Sequence, residues 1–203
     1  MAEKKERFHL YLGSQSPRRK EFFQFLNVAF ETVVSNAEEI SQEKDPAKFV
    51  EEITQTKMDN VWKQVQSENP MVVCSDTIVV LDNKILGKPE DKKQAHSILL
   101  LLEGQTHEVY TQVLVKTKNE QWGFHERTYV TFGKMDKGLL RAYIDTGDSL
   151  DKAGAYGAQG MAQVFIEKVE GSYSNVIGFP IERFIREVKK RYQVNDFESL
   201  FEG

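Results

Sequence analysis

The chain has little of several things, and each shortage removes a class of protein. Cys74 is its only cysteine, so neither an intramolecular disulfide nor a cysteine metal cluster can form. That usage fits a reducing compartment such as the cytoplasm. The four histidines, at 9, 96, 107 and 125, form no His-Glu-x-x-His pair or other ligand spacing, which argues against a zinc site, and His107 reads as an ordinary packed or surface residue. No apolar run approaches the length of a membrane span, and in the opening MAEKKERFHLYLG the apolar stretch after the charges is too short for a signal sequence. Positive charge is not in excess: 27 Lys plus Arg against 31 Asp plus Glu give a formal net charge of −4, which argues against a broad affinity for nucleic-acid polymers and requires any anionic ligand to be held locally. Repeats, low-complexity tracts and Pro/Ser-rich linkers are missing too. With 203 residues, the chain is expected to form a single domain over 1–203, either one compact unit or two lobes sharing a cleft.

Segments of strand and helix period alternate, as in a mixed α/β domain. Residues 9–12 read as a short strand, followed by a loop and by a helix from Pro17 to about Leu26 with Ser16 as its N-cap. Asp45-Pro46 opens a second helix, with Phe49, Val50, Ile53, Val61 and Val65 near one face and Lys57 on or beside it. Residues 71–81 read as a strand, Asp82-Asn83 as a turn, and Ile85-Leu86 as a hairpin return broken by Gly87-Lys88-Pro89. A helix capped by Asp91 runs through Leu102 and closes at Gly104. Strands follow at 107–116 and 127–132, then a helix at 137–146, a glycine-rich loop at 150–160, a strand at 162–169 and an amphipathic helix at 181–192. The tail after Val194 carries no pattern.

Three segments hold residues in places that an ordinary domain avoids. In Ser14-Gln15-Ser16-Pro17-Arg18-Arg19-Lys20, three cations occupy the first turn of a helix whose N-terminus is already partly positive. A bound anion would reverse that penalty, because free backbone N–H groups, two hydroxyls and the Arg forks make a phosphate cradle; a solvated basic helix end is the plainer reading. In the apolar run from Val72 to Leu81, Asp76 is a charge inside a strand and requires a partner or a task. Beside a triphosphate it could hold Mg²⁺ or take a proton from water, whereas at a bulge or strand end it would simply be wet. In the glycine-rich segment from Leu150 to Gly160, backbone can approach a ligand closely, and Gln159 offers a donor and an acceptor to a base edge. That segment has neither P-loop spacing nor a dinucleotide fingerprint, and no Gly-x-Ser-x-Gly elbow suggests a serine hydrolase. If the hairpin folds back, Lys88 can meet phosphate charge in the transition state. Lys57 and Glu39, taken alone, default to solvated positions.

The chain carries Ser-x-Ser-Pro-Arg-Arg at 14–19, Ser-Asp-Thr-Ile-Val-Val-Leu at 75–81, Ile-Leu-Gly-Lys-Pro at 85–89 and Gly-x-Thr-His-Glu-Val at 104–109. Asp-Lys-Ala-Gly-Ala-Tyr-Gly-x-Gln-Gly follows at 151–160 and Gly-Ser-Tyr-Ser-Asn-Val-Ile-Gly-Phe-Pro at 171–180. In this order the motifs closely resemble those of the Maf family, over nearly the whole length. The resemblance implies an α/β fold, a mixed β-sheet with flanking helices and two lobes around a cleft, related to the inosine triphosphatases, in a homodimer. It implies hydrolysis of a nucleoside triphosphate between its α- and β-phosphates with a divalent metal, Mg²⁺ or Mn²⁺. Asp76 becomes the proton acceptor or, with Glu39, a metal ligand; Lys88 becomes a catalytic cation; Ser14, Arg18 and Arg19 become phosphate contacts; and Glu39 and Lys57 match other site positions, with Glu38 able to exchange with Glu39 by a one-residue slip. Arg18, Thr77 and Gln159 resemble the subgroup acting on dTTP and UTP. The chain departs from the family pattern at Gly13, where alanine is usual, at Cys74, where a glycine or other small residue is common, and at Met58, where alanine is frequent. A rival from another class is a nucleotide-binding regulator without turnover, prompted by the family's association with septum formation.

Overall fold

A computed structural model describes residues 7–202; the charged residues 3–6 of the opening stretch lie outside the described part. The strands are β1 (His9–Gly13), β2 (Phe30–Thr32), β3 (Pro70–Leu81), β4 (Lys84–Leu86), β5 (Thr106–Lys116), β6 (Gln121–Phe132) and β7 (Ile166–Glu170). The helices are α1 (Pro17–Gln24), α2 (Pro46–Trp62), α3 (Lys92–Leu102), α4 (Lys137–Thr146), α5 (Tyr173–Ile177) and α6 (Ile181–Tyr192). The strands form one mixed sheet in the order β2-β1-β3-β5-β6-β7, with β4 paired to the far end of β3. β1 runs parallel to β2 and β3, and the remaining pairs are antiparallel.

Alternation along β3 sorts its side chains between two faces. Val72, Cys74, Ile78 and Val80 pack with Val50, Ile53, Met58 and Val61 of α2. On the opposite face Met71 and Val73 join one cluster with Phe23 of α1 and Phe184 and Val188 of α6. Val79 joins another with Leu99 of α3, Leu140 and Tyr143 of α4 and Val176 and Ile177 of α5. Ser75, Asp76 and Thr77 therefore fall in the middle of β3, where these apolar clusters meet.

Local signals explain the helices. Asp45, Asp91 and Asp136 each accept from the backbone N–H three residues on, closing an N-cap for α2, α3 and α4. Asp82 and Asn83, at φ of 49° and 61°, form the tight turn between β3 and β4, a geometry these two residue types tolerate.

The structure corrects several readings. α1 ends at Gln24, two residues before Leu26. β6 begins at Gln121, not at Arg127, because Gly123 interrupts the residue pattern without interrupting the strand: a Cβ there would lie 2.5 Å from both Leu114 and the Val113 carbonyl oxygen. The strand expected over 162–169 is a 3₁₀ turn over Met161–Phe165 and then β7, so the apolar residues Ala162 and Phe165 enter the core from a turn. β2 and α5 were not anticipated, being three and five residues long. The patternless tail buries Phe197, Leu200 and Phe201 beside Leu10, while Phe8 bridges to Phe201.

Candidate active site

A cavity of about 400 Å³ opens at the N-terminus of α1, beside the middle of β3. Every site residue expected from the sequence lines it except Gln159, which is half-buried on the glycine-rich segment two positions beyond the lining residue Gly157.

Asp76 and Lys57 form its charged floor. Asp76 points to the α2 face, where Lys57 stands one turn before the end of the helix, and the Lys57 ammonium donates to Oδ2 of Asp76. The same ammonium lies 2.9 Å from Oε1 of Glu39. Two carboxylates thus share one buried cation, which answers the desolvation penalty that Asp76 raised as a charge within a strand. Oδ1 of Asp76 accepts from the Thr77 backbone N–H at 3.1 Å. Glu39, not the neighbouring Glu38, reaches this group.

The wall built by α1 divides its two arginines between different tasks. Ser16 and Pro17 occupy the N-cap and first helical positions, as expected, but the Ser16 hydroxyl makes no cap bond; its backbone N–H instead donates to Ser14 Oγ at 3.1 Å. The first-turn N–H groups of α1 are left without a side-chain cap, which suits an anion. Arg18 makes a loose ion pair with Asp151 at 4.0 Å. Arg19 is buried, and its Nε, Nη1 and Nη2 donate to the Gly178 carbonyl, the Ser75 carbonyl and Thr77 Oγ1 at 2.8, 2.9 and 3.0 Å. Burial pushes the Arg19 guanidinium down from its usual range; Asp76 opposes that shift and Arg18 adds to it.

Opposite stand the hairpin and the glycine-rich segment. Lys88 is exposed at the rim, just past β4. Asp151 and Lys152 also line the cavity and were noted before only as part of a motif. Lys152 is buried, donates to Asp148 Oδ1 at 2.9 Å and to Asp151 Oδ1 at 2.7 Å, and runs beneath Gly157, where a Cβ would lie 2.9 Å from its Cε. Burial pushes the Asp151 carboxyl up, but the Lys152 hydrogen bond and the charges of Lys152 and Arg18 outweigh it and hold the group below its usual range. A lysine flanked by aspartates one and four residues earlier was the available signal for this latch. Tyr156 contributes an apolar wall with Val79, Val109, Val176 and Ile177, and its hydroxyl lies 2.7 Å from Nε2 of the buried His107. Burial lowers His107 to about 4 and raises the Tyr156 hydroxyl far above its usual value, so this pair is neutral and packs without titrating near pH 7.

The arrangement combines a carboxylate able to accept a proton, cations at an uncapped helix N-terminus and an apolar wall. Such a cavity suits a ligand that is polyanionic at one end and flat and uncharged at the other. Residues 9–191 match the family described as Maf-like protein. A dTTP/UTP pyrophosphatase of Bacillus cytotoxicus is 44% identical over 180 residues, covering 88% of this chain and 93% of the relative. A dTTP/UTP pyrophosphatase of Thermoanaerobacter sp. is 40% identical over 187 residues, covering 91% and 97%. Among solved structures, a nucleoside-triphosphatase / dITP/XTP pyrophosphatase of Mycobacterium abscessus aligns with 92% of this chain and 97% of its own, at 10% identity and a TM-score of 0.41, a likeness too low to carry weight.

Proposed function

The chain belongs to the Maf family, and from that membership and the geometry of the cavity we propose that it hydrolyses dTTP and UTP to the monophosphate and pyrophosphate. The observation that carries this reading is the meeting of Asp76 with Lys57, Glu39, Arg18 and Lys88 in one cavity at the uncapped start of α1. In it the triphosphate lies against α1, where Ser14, the first-turn N–H groups and Arg18 hold phosphate oxygens. Asp76 accepts the proton of the water that attacks the α-phosphorus. Charge developing on the departing pyrophosphate is met by Lys88 and Arg18. The nucleoside rests on the apolar wall of Val79, Val109 and Tyr156, and the resemblance of the motif around Gln159 supports a part for that residue in base choice.

A divalent cation fits this donor set in one way. Among the described residues there is no group of three or more His, Cys, Asp or Glu side chains suited to a metal, so those residues alone build no dedicated cage. Mg²⁺ is commonly held by one or two carboxylates together with substrate phosphates, and Asp76 and Glu39, drawn together by Lys57, supply such a pair. These two residues would hold Mg²⁺ or Mn²⁺, which supplies Lewis-acid neutralisation of phosphate charge when bound.

Incubation with Mg²⁺ and each of dTTP, UTP, CTP, GTP and ATP, with chromatography of products, tests the reading. Monophosphate plus pyrophosphate, formed fastest from dTTP or UTP, is expected; nucleotide binding without pyrophosphate release would overturn it in favour of a regulatory binder. No helix among the described residues is long and apolar enough to cross a membrane. The resemblance supports a single Maf-like domain over 1–203, acting in the cytoplasm as a homodimer, and a monomer in sedimentation equilibrium at assay concentrations would remove the dimer.

A further inference from the structure

We propose that Arg19 is a positioning residue that fixes the Asp76 carboxylate through Ser75 and Thr77, and is not a ligand of the triphosphate. The inference rests on the pyrophosphatase reading above. Two of the three acceptors of Arg19 belong to the residues on either side of Asp76, namely the Ser75 carbonyl and the Thr77 hydroxyl. The third, the Gly178 carbonyl, lies just beyond α5 and 3.2 Å from the Thr77 hydroxyl. A single rigid planar group therefore clamps β3 immediately before and after Asp76 and ties it to the segment after α5. The Thr77 backbone N–H then orients Oδ1 of Asp76, so the backbone that Arg19 holds is also the one that aims the carboxylate.

The hydrogen-bond inventory of Thr77 completes the case. Its hydroxyl has one proton and two lone pairs. Arg19 Nη2 donates to it, Thr111 Oγ1 lies 2.9 Å away, and the Gly178 carbonyl lies 3.2 Å away as an acceptor. With Thr111 donating to Thr77 and Thr77 donating to Gly178, every capacity of the hydroxyl is used inside the protein. In that arrangement the Thr77 hydroxyl is engaged wholly within the protein. Arg19 retains two N–H groups, but with all three nitrogens held by protein it cannot follow a substrate as Arg18 can.

Steady-state kinetics with UTP, dTTP and CTP separate positioning from ligation. Arg19→Lys keeps the charge and loses the fork, so kcat should fall roughly 100-fold, as for a misplaced reacting group, while KM stays within about twofold. Arg18→Ala, which removes a phosphate contact, should differ by raising KM several-fold in addition to lowering kcat. Thr77→Val should lower kcat about tenfold with the ratio of rates among the three nucleotides unchanged, and Thr77→Ser should restore it. Arg19→Lys combined with Thr77→Val should be little worse than Arg19→Lys alone, because both break one clamp. A raised KM with kcat retained in Arg19→Lys, or an altered nucleotide ratio in Thr77→Val, would overturn the assignment even though the wild type turns over. Absence of wild-type turnover would instead remove the pyrophosphatase reading and the assignment with it. Should Arg19→Lys not fold, the contrast between Thr77→Val and Thr77→Ser decides the matter alone.

Discussion

Lys57 donates to Oδ2 of Asp76, so the carboxylate assigned the chemistry is already paired with a cation in the protein alone. Both side chains are largely buried, at 9% and 14% exposure, and removal of the cation strands a charge. Lys57→Met is expected to destabilise the protein by about 3 kcal/mol in urea unfolding, the scale for breaking a buried pair from one side. Asp76→Asn should be milder, because Lys57 keeps Glu39 at 2.9 Å. The double variant should recover part of the loss. A loss in the double variant equal to the sum of the two single losses would show that the pair carries no coupling.

Gly13 and Cys74 face each other in register on β1 and β3, and a Cβ on residue 13 would sit 2.4 Å from the Cys74 sulfur. The two departures from the family pattern noted in the sequence are thus one compensating pair, a larger side chain on β3 admitted by the loss of a methyl on β1. Gly13→Ala is expected to cost about 1–3 kcal/mol through overpacking. In a Cys74→Ala background the same substitution should be nearly neutral. Calorimetric midpoints of the four proteins measure the coupling, and additive shifts would refute it.

Glu39 and Glu38 differ in what they reach. Glu39→Gln should raise the Mg²⁺ concentration needed for half-maximal turnover roughly tenfold, the scale for disturbing a metal's surroundings. It should also weaken Mn²⁺ binding measured by calorimetry. Glu38→Gln, outside the cavity, should change neither; a metal effect of Glu38→Gln equal to that of Glu39→Gln would exchange their roles.

Much of this site was legible because its charges stand where folding alone disfavours them. Three cations in the first turn of α1 and a carboxylate within β3 pointed to an anion and a partner, and Arg18, Arg19 and Asp76 line the cavity, whereas Glu39, Lys57 and Thr77 were marked only by the family resemblance. The partners of Arg19 were not legible. Two of them are backbone carbonyls 159 and 56 residues away, and no residue type announces a carbonyl. The same contrast holds for the fold. α4 was bounded correctly because Asp136 caps it and Gly147, at φ 78°, ends it. α5, a five-residue helix capped by Ser172, is too short for a period to register.

His107 should make the protein sensitive to acid. Its value falls from 6.5 in the unfolded chain to about 4 in the fold, because burial opposes its charge. Between those values the unfolded chain binds the proton and the folded one does not, so stability falls as pH falls below about 6.5, by about 2 kcal/mol at pH 5. Urea unfolding of wild type and His107→Gln at pH 7 and pH 5 measures this. The variant should lose less stability on acidification, and an identical loss would exclude His107 as the source.

The clasp between the two ends of the described chain orders events in time. Phe8 donates its backbone N–H to the Leu200 carbonyl and accepts from the Glu202 N–H, while Phe197, Leu200 and Phe201 complete the apolar cluster around Leu10. A ribosome delivers Phe8 first and Phe201 nearly two hundred residues later. The α1 side of the sheet, which carries Arg18 and Arg19, must wait with part of its core uncovered until Phe201 has emerged. The segment from Phe197 to Phe201 acts as the stopper of the fold, and a ribosome stalled before it would leave that cluster open to the chaperones that attend it.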